Sequence, residues 1–194
     1  MKKETQLLFE TTFGQYLTIS EEAYQFLHAH FVELSYAPRE IVVEGGGPAK
    51  FFYLVLDGVQ AIYLIDSKGE KVVLGFSFAG NVSGVYDAFL SGKSSSLFLE
   101  SITASKMIGI TRLNYLKLFE LFPEFHQWRT HFIEGILFGR LSREVEIMTL
   151  SAKERFDAFV SRCPEELHQI PQKYLASYLN MKPETFSRLR AMRD

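Results

Sequence analysis

The sequence is poor in cysteine and in long apolar runs. Cys163 is the only cysteine among 194 residues, which excludes an intramolecular disulfide and a four-cysteine zinc or iron–sulfur site supplied by one chain. No window of about 18 apolar residues is present to span a bilayer. The N-terminal segment also lacks the apolar core and the cleavage site of a signal peptide. We therefore expect a cytoplasmic protein that does not contact membranes.

Charge of one sign is not in excess either. The net charge is −2 at pH 7, so the whole molecule is not a polycation and any surface for nucleic acid must be local. Hydrophobic residues make up 47% of the chain and charged residues 23%. This is the composition of an ordinary folded protein and gives no sign of disorder.

Short β-rich runs separated by turn chemistry extend over residues 38–111. Asp57-Gly58 lies between two apolar runs and predicts a hairpin turn, and the SKGE stretch at 67–70 predicts the next reversal. Strands so closely spaced are typical of an antiparallel sandwich or jelly roll. Ahead of this region, apolar spacing predicts a helix over residues 20–35. Its N-cap and apolar face would be formed by Ser20, Ala23, Leu27, Phe31 and Leu34.

The same β region lacks the residues of a metal-dependent jelly-roll enzyme. Such enzymes take histidine and carboxylate ligands from their strands, whereas all histidines here lie outside residues 38–112. They are His28, His30, His126, His131 and His168. No Ser-His-Asp or Cys-His grouping has the spacing of a nucleophilic site. We therefore predict no enzymatic activity, no metal site and no resident cofactor.

A long helix is predicted from Pro123 to about Thr149, and it carries two apolar stripes. The first stripe is Phe125, Trp128, Phe132, Ile136 and Gly139; the second is Ile133, Leu137, Leu141, Val145 and Met148. A helix that buries one face does not need both stripes. The helix is either wedged inside one domain, or it packs one stripe on the β region and the other on a second copy. We favour the homodimer, with Trp128, Phe132, Ile136, Leu137 and Gly139 at its interface.

The C-terminal segment has the pattern of a helix-turn-helix. Ser151 and Glu154 form a capping box that begins a new helix. Further on, two short helices are predicted on either side of a break at Asn180, and Pro183 suits the first turn of the second. An outward basic face on that second helix is typical of DNA-binding domains, although a generic helical hairpin has the same period.

The motif YLASYLNMKPETFSRLR resembles the helix-turn-helix of the Crp–Fnr family of bacterial regulators, and EGGGPAKFFYLVLDGVQAIYL resembles the opening β-roll hairpins of that family. The resemblance implies an α+β protein with three parts. They are a cyclic-nucleotide-binding-domain-like β-roll (jelly roll) at residues 1–122, a dimerisation helix at 123–150 and a helix-turn-helix domain at 151–194. The sequence ends soon after the second helix, so we expect a short form without the C-terminal wing common in the family.

The resemblance also implies which residues meet DNA. Glu184 and Arg188 would contact base edges, and Thr185 and Ser187 would contact backbone or bases. Lys182 stands where the family has an N-cap serine and would contact a phosphate. Together with Arg190, these residues form the predicted DNA-binding surface.

The stretch GNVSGVYDAFLSGKSSS, residues 80–96, falls where the family has its phosphate-binding cassette. Gly84 matches the glycine of the cassette, but Val85 replaces its glutamate, and Ser95 or its neighbour Ser96 replaces its arginine. Lys93 is the one cation of the stretch and could compensate for the missing arginine. We expect the cassette to keep its shape but not to bind cyclic AMP or cyclic GMP, since neither the phosphate nor the ribose would find its partner. A less charged and more apolar ligand would suit this pocket.

The expected function is therefore that of a homodimeric, DNA-binding transcriptional regulator whose sensor domain does not answer to cyclic AMP. Its expected partners are double-stranded DNA, a second copy of the chain, an unidentified small-molecule effector and RNA polymerase. The alternative is a signalling protein that keeps the fold for protein contacts and does not read DNA.

Overall fold

The computed structural model describes residues 3–162 and 166–192, and Cys163 lies outside them. The α-helices in these ranges are α1 (Lys3–Phe13), α2 (Glu21–His30), α3 (Tyr86–Ser91), α4 (Arg112–Leu121), α5 (Phe125–Thr149), α6 (Ala152–Arg162), α7 (Gln172–Tyr178) and α8 (Pro183–Ala191), and Glu166–Gln169 form a short 3-10 helix. The strands are β1 (Phe31–Tyr36), β2 (Ile41–Val43), β3 (Phe51–Asp57), β4 (Gln60–Ile65), β5 (Lys71–Ser77), β6 (Val82–Ser83), β7 (Phe98–Ser101) and β8 (Ser105–Thr111). The predicted α+β class is confirmed.

The strands form a β-roll of two antiparallel sheets, with the orders β1-β8-β3-β6 and β2-β7-β4-β5. Val55 and Met107 of the first sheet share a buried cluster with Val43 and Leu99 of the second. Side chains of both sheets therefore face a common core, as they do in a β-sandwich. The predicted antiparallel jelly roll is confirmed.

One of the two predicted turns differs in its role. Residues 66–70 form a true hairpin, because β4 pairs with β5 and Gly69 adopts a φ of +80°. Asp57-Gly58 instead joins β3 of one sheet to β4 of the other, so the predicted hairpin there is wrong. A Cβ atom at Gly58 would lie 2.5 Å from the carbonyl oxygen of Ala104. Gly58 thus lies in a tight connection between the two sheets, which has no room for a side chain.

The predicted helix at 20–35 is shorter than its apolar period suggests. Ser20 is the N-cap, as predicted, with its Oγ accepting a hydrogen bond from the Ala23 amide at 3.2 Å. The helix ends at His30, and Phe31 and Leu34 lie on β1, opposite Ile110 and Met107 of β8. Pairing with β8 overrides the local helical period, because a strand is stabilised by contacts that are remote in sequence. Helix α1 was not identified from the sequence.

Helix α5 begins in the core of the β-roll, and its later turns are exposed. Trp128 is only 3% exposed and lies between Phe13 and Phe132, with ring centroids 4.9 and 5.3 Å away. It belongs to the core of its own protomer, and its place at the dimer interface stays a prediction that this burial does not favour. Beyond Phe132, a row of large apolar side chains is exposed, which we call the α5 seam. The seam consists of Ile133, Ile136, Leu137, Phe138, Leu141, Val145 and Met148.

Exposure of the α5 seam argues against a helix wedged inside one domain. The described part of the chain does not cover these side chains, and a Cβ atom placed at Gly139 would meet nothing within 4 Å. Phe132 marks the transition, since it is partly buried and packs on Phe52 at 5.8 Å between ring centroids.

None of the helices in residues 3–162 and 166–192 has the length and apolar character that a membrane span needs.

Candidate DNA-binding surface and effector cavity

Helices α7 and α8 form a helix-turn-helix with a tight turn at Asn180. The φ of Asn180 is +50°, a left-handed conformation that asparagine tolerates better than most residues. The amide of Met181 donates to the carbonyl of Ala176 at 3.0 Å, which closes the turn. Pro183 then occupies the first turn of α8, where a missing amide costs nothing. The predicted break and restart of the helix are confirmed.

The turn is clamped by Arg155 of α6. Its Nε donates to the carbonyl of Leu179 at 2.9 Å and its Nη2 to that of Asn180 at 3.2 Å, while Nη1 donates to the Leu150 carbonyl. One guanidinium therefore satisfies carbonyls at the ends of two helices. Helix α6 itself begins with the predicted capping box, since the Ser151 amide donates to Glu154 Oε2 at 2.8 Å. Sequence reasoning missed Arg155, which has no local signal that distinguishes it from a surface arginine.

Helix α8 is held by one face and exposes the other. Phe186 is fully buried and packs against Phe156 of α6, with ring centroids 5.4 Å apart. The opposite face brings most of the predicted DNA-binding residues together. Lys182, Glu184, Ser187 and Arg188 are exposed, and Thr185 and Arg190 are half-buried. Arg190 Nη2 lies 3.4 Å from Nδ1 of His168, so it is directed partly along the surface of its own domain.

The helix-turn-helix domain is docked on the edge of the β-roll. Helix α7 lies along β5, which is the last strand of its sheet. Ser177 Oγ accepts a hydrogen bond from the Val73 amide at 3.0 Å and donates to the Lys71 carbonyl at 2.8 Å. A side chain of α7 thereby occupies backbone groups that an edge strand would otherwise expose. From α5, Arg143 Nη2 donates to the Tyr178 carbonyl at 2.7 Å.

A buried carboxylate joins the two domains. Glu100 of β7 is 3% exposed and accepts a hydrogen bond from the Tyr174 hydroxyl of α7 at 2.9 Å. Lys71 of β5 forms an ion pair with the same carboxylate and donates to the Tyr174 hydroxyl at 2.8 Å. Burial acts to lower the pKa of Lys71, but hydrogen bonds to Glu100, Tyr174 and Tyr63 outweigh it and raise the pKa above its ordinary value. The carboxylate is thus compensated from both domains, as a buried charge must be.

The cassette has its predicted short helix, but its predicted ligand residues do not converge. Helix α3 begins after Val85 and closes with Gly92 in the left-handed conformation. Val85 is fully buried and packs into the β-roll core. Lys93 and Ser96 are exposed on the following loop, and the carbonyl of Ser95 accepts a hydrogen bond from the Gly46 amide at 2.7 Å.

A cavity of about 430 Å³ lies between the cassette, the β-roll and α5. Of the five residues predicted for the effector pocket, only Gly84 lines it. Val85, Lys93, Ser95 and Ser96 do not line it, because the position of a residue along the loop does not fix the direction of its side chain. The apolar walls are formed by Phe52, Ile62, Val82, Leu90, Leu97, Leu99, Phe132 and Ile136.

Few polar groups reach this cavity. Ser83 Oγ is buried and has no hydrogen-bond partner within the described part of the chain. Asp87 of α3 and Arg140 of α5 are exposed and lie at the rim. Ser77 and Tyr86 complete the polar lining, and the Tyr86 hydroxyl lies 2.9 Å from that of Tyr115. Sequence reasoning missed Ser83 and Arg140, which are separated by more than fifty residues and share the cavity only through the fold. Among the described residues, no group of three or more His, Cys, Asp or Glu could hold a metal ion.

Residues 33–121 match the family model of the cyclic nucleotide-binding domain, so the β-roll is a domain of this class. The chain is 24% identical over 161 residues to the fumarate and nitrate reduction regulatory proteins of Salmonella typhimurium and Escherichia coli. The aligned region covers 77% of this chain, and it spans only 64% of the length of these curated relatives.

Solved structures share the fold of most of the chain. FixK2 from Bradyrhizobium japonicum has a TM-score of 0.75 at 21% identity, covering 84% of this chain and 83% of that one. The c-di-GMP responsive global regulator CLP from Xanthomonas campestris has a TM-score of 0.72 at 17% identity, covering 90% of this chain and 91% of that one. A putative transcriptional regulator of the crp/fnr family from Eubacterium rectale has a TM-score of 0.72 at 13% identity, covering 92% of this chain and 88% of that one. The chain thus has the fold of these regulators.

Proposed function

We propose that the chain is a DNA-binding transcriptional regulator that acts as a homodimer and does not answer to cyclic AMP. The observation that carries this proposal is the outward face of α8. Lys182, Ser187 and Arg188 are exposed on a helix that Phe186 anchors from its opposite side. A helix held in this way can enter the major groove while its own domain stays intact.

The charge of this face suits DNA. Lys182, Arg188 and Arg190 oppose a single carboxylate, Glu184, on α8 and its N-cap, whereas the whole chain has a net charge of −2. Cations attract the phosphates, and an arginine also reads guanine edges in the major groove. The basic face is therefore local, as recognition of DNA by an acidic protein requires.

The α5 seam supports the homodimer. A contiguous row of exposed apolar side chains on one helix marks an interface, and a second copy offers the same row in return. Two helix-turn-helix domains related by this dyad would bind an inverted repeat with half-sites about 34 Å apart.

The cavity supports insensitivity to cyclic AMP. At its rim the positive charge of Arg140 is offset by Asp87, and the cassette residues that line the cavity include no cation. A phosphate and ribose hydroxyls brought into these apolar walls would lose hydrogen bonds worth about 1–3 kcal/mol each. Calorimetric titration with cyclic AMP and cyclic GMP should show no binding, and a dissociation constant in the low micromolar range would contradict this part of the proposal.

The test of DNA recognition uses a site selected from a random duplex pool, with binding measured by fluorescence anisotropy. Replacing Arg188 by alanine should cost about 1–3 kcal/mol on the selected site and relax the preference at one base pair. Lys117→Ala is the matched control, because it removes one positive charge from an exposed position on α4. Failure of the wild type to enrich any site from the pool would instead favour a signalling protein that keeps the fold without reading DNA, and equal affinity of wild type and Arg188→Ala for an enriched site would contradict the role given to Arg188.

A further inference from the structure

The cavity beneath the cassette has a composition that selects its ligand. Its volume of about 430 Å³ lies within the range of small-molecule sites, which are concave and mostly apolar. Aromatic and aliphatic side chains form its walls, from Phe52 on β3 to Phe132 on α5. We infer that this cavity binds an uncharged, predominantly apolar small molecule that carries one hydrogen-bonding group, such as a hydroxyl, a carbonyl or an amine.

The hydrogen-bonding group follows from Ser83. Its hydroxyl is buried at the cavity wall, and no protein atom in residues 3–162 or 166–192 pairs with it. Buried polar groups in folded proteins are nearly always satisfied, and an exception points to a missing partner. A ligand atom that donates to or accepts from Ser83 Oγ would supply that partner.

The charged residues at the rim of the cavity indicate that its ligand is uncharged. Asp87 and Arg140 are the two charged residues that line the cavity, and they carry opposite signs on facing elements, α3 and α5. An anionic ligand drawn to Arg140 would approach Asp87, and a cationic one would meet the reverse conflict. An uncharged molecule enters without either penalty and gains from burial of its apolar surface.

A ligand in the cavity would contact helix α5. Ile136 belongs both to the cavity wall and to the α5 seam, and two turns further on Arg143 holds the Tyr178 carbonyl of α7. A ligand against Phe132 and Ile136 therefore touches the element that carries the proposed dimer contact. Only this regulatory consequence rests on the proposed function; binding of the molecule itself does not.

The experiment titrates the full chain with N-phenyl-1-naphthylamine, an uncharged apolar amine whose fluorescence rises when it leaves water. We expect saturable binding to one site per protomer, without displacement by millimolar cyclic AMP. Ser77→Phe, which fills the cavity from its half-buried wall position, should weaken the binding at least about tenfold. Ser96→Phe is the matched control, because it places the same side chain on the exposed part of the cassette loop.

Ser83→Ala keeps the inference testable if Ser77→Phe does not fold. Loss of one hydrogen bond should weaken dye binding about twofold to tenfold. No saturable binding to the wild type, equal binding by a folded Ser77→Phe, or displacement by cyclic AMP would each overturn the inference. DNA affinity of the same preparations separates the two proposals. Failure of dye binding with intact DNA binding overturns only the ligand, and the converse result overturns only the proposed function.

Discussion

Leu137, in the middle of the α5 seam, offers a direct test of the proposed homodimer. Its side chain is 52% exposed in the protomer, so about half of its apolar surface remains to be buried by a second copy. Full burial of a leucine is worth roughly 1.5–3 kcal/mol, so the remaining half is worth about 1 kcal/mol per protomer. A twofold-symmetric dimer counts this contribution twice, and Leu137→Ala should weaken association by about 2 kcal/mol, or roughly thirtyfold in the dissociation constant.

The assay is sedimentation velocity over a concentration series. We expect a dimer at micromolar wild-type protein, a thirtyfold shift of the midpoint for Leu137→Ala, and monomers for Leu137→Glu, because a carboxylate at an apolar seam is left unpaired. Leu121→Ala is the matched control, since Leu121 on α4 is 58% exposed and lies outside the seam. A well-folded wild type that stays monomeric, or an equal loss of association in Leu121→Ala, would refute the reasoning.

Two further predictions concern stability and are measured by urea unfolding. Tyr174→Phe removes the hydrogen bond to the buried Glu100 and should lower the free energy of unfolding by about 1.5–3 kcal/mol. Tyr24→Phe, which breaks a similar bond to Glu10 at the surface, should lower it much less. Equal losses of unfolding free energy would show that Glu100 does not need Tyr174. The hydrogen bond from Arg162 lowers the pKa of Glu146 below its ordinary value, so this pair stabilises the fold above that ordinary pKa and ceases to do so as the pH falls through the lower, folded value. The difference in unfolding free energy between wild type and Glu146→Gln should therefore shrink between about pH 5 and pH 3, with Glu144→Gln as the control for charge on the same helix; a constant difference across this range would contradict the prediction.

Features that depend on neighbouring residues could be predicted from the sequence. Ser20 as an N-cap, the capping box at Ser151 and Glu154, and Pro183 at the start of α8 are all local chemistry, and the structure has each of them. The β-roll was predictable for a related reason, because short apolar runs and turn residues alternate along the chain.

Features that depend on remote partners could not be predicted. Phe31 and Leu34 fit a helical period, yet their position is decided by pairing with β8, more than seventy residues later in the chain. Asp57-Gly58 has the local signature of a hairpin, but the pairing of β3 with β8 and of β4 with β7 sends the two strands into different sheets. The direction of Val85 is likewise set by the core beneath it.

The position of α5 limits how a ligand in the cavity acts on the helix-turn-helix. Undocking α7 from the β-roll would take Tyr174 from the buried Glu100 carboxylate and break both Ser177 hydrogen bonds to β5. Tilting α5 while α7 stays docked instead changes the contacts of Arg143 with Tyr178 and β5 and the exposed ion pair of Glu146 with Arg162 of α6. The second movement disturbs fewer buried polar groups, and unpaired buried groups are what such a change must avoid. A ligand against Phe132 and Ile136 should therefore act by rotating one protomer against its partner along the α5 seam, which alters the separation of the two α8 helices while the hydrogen bonds of α7 with Glu100 and β5 survive.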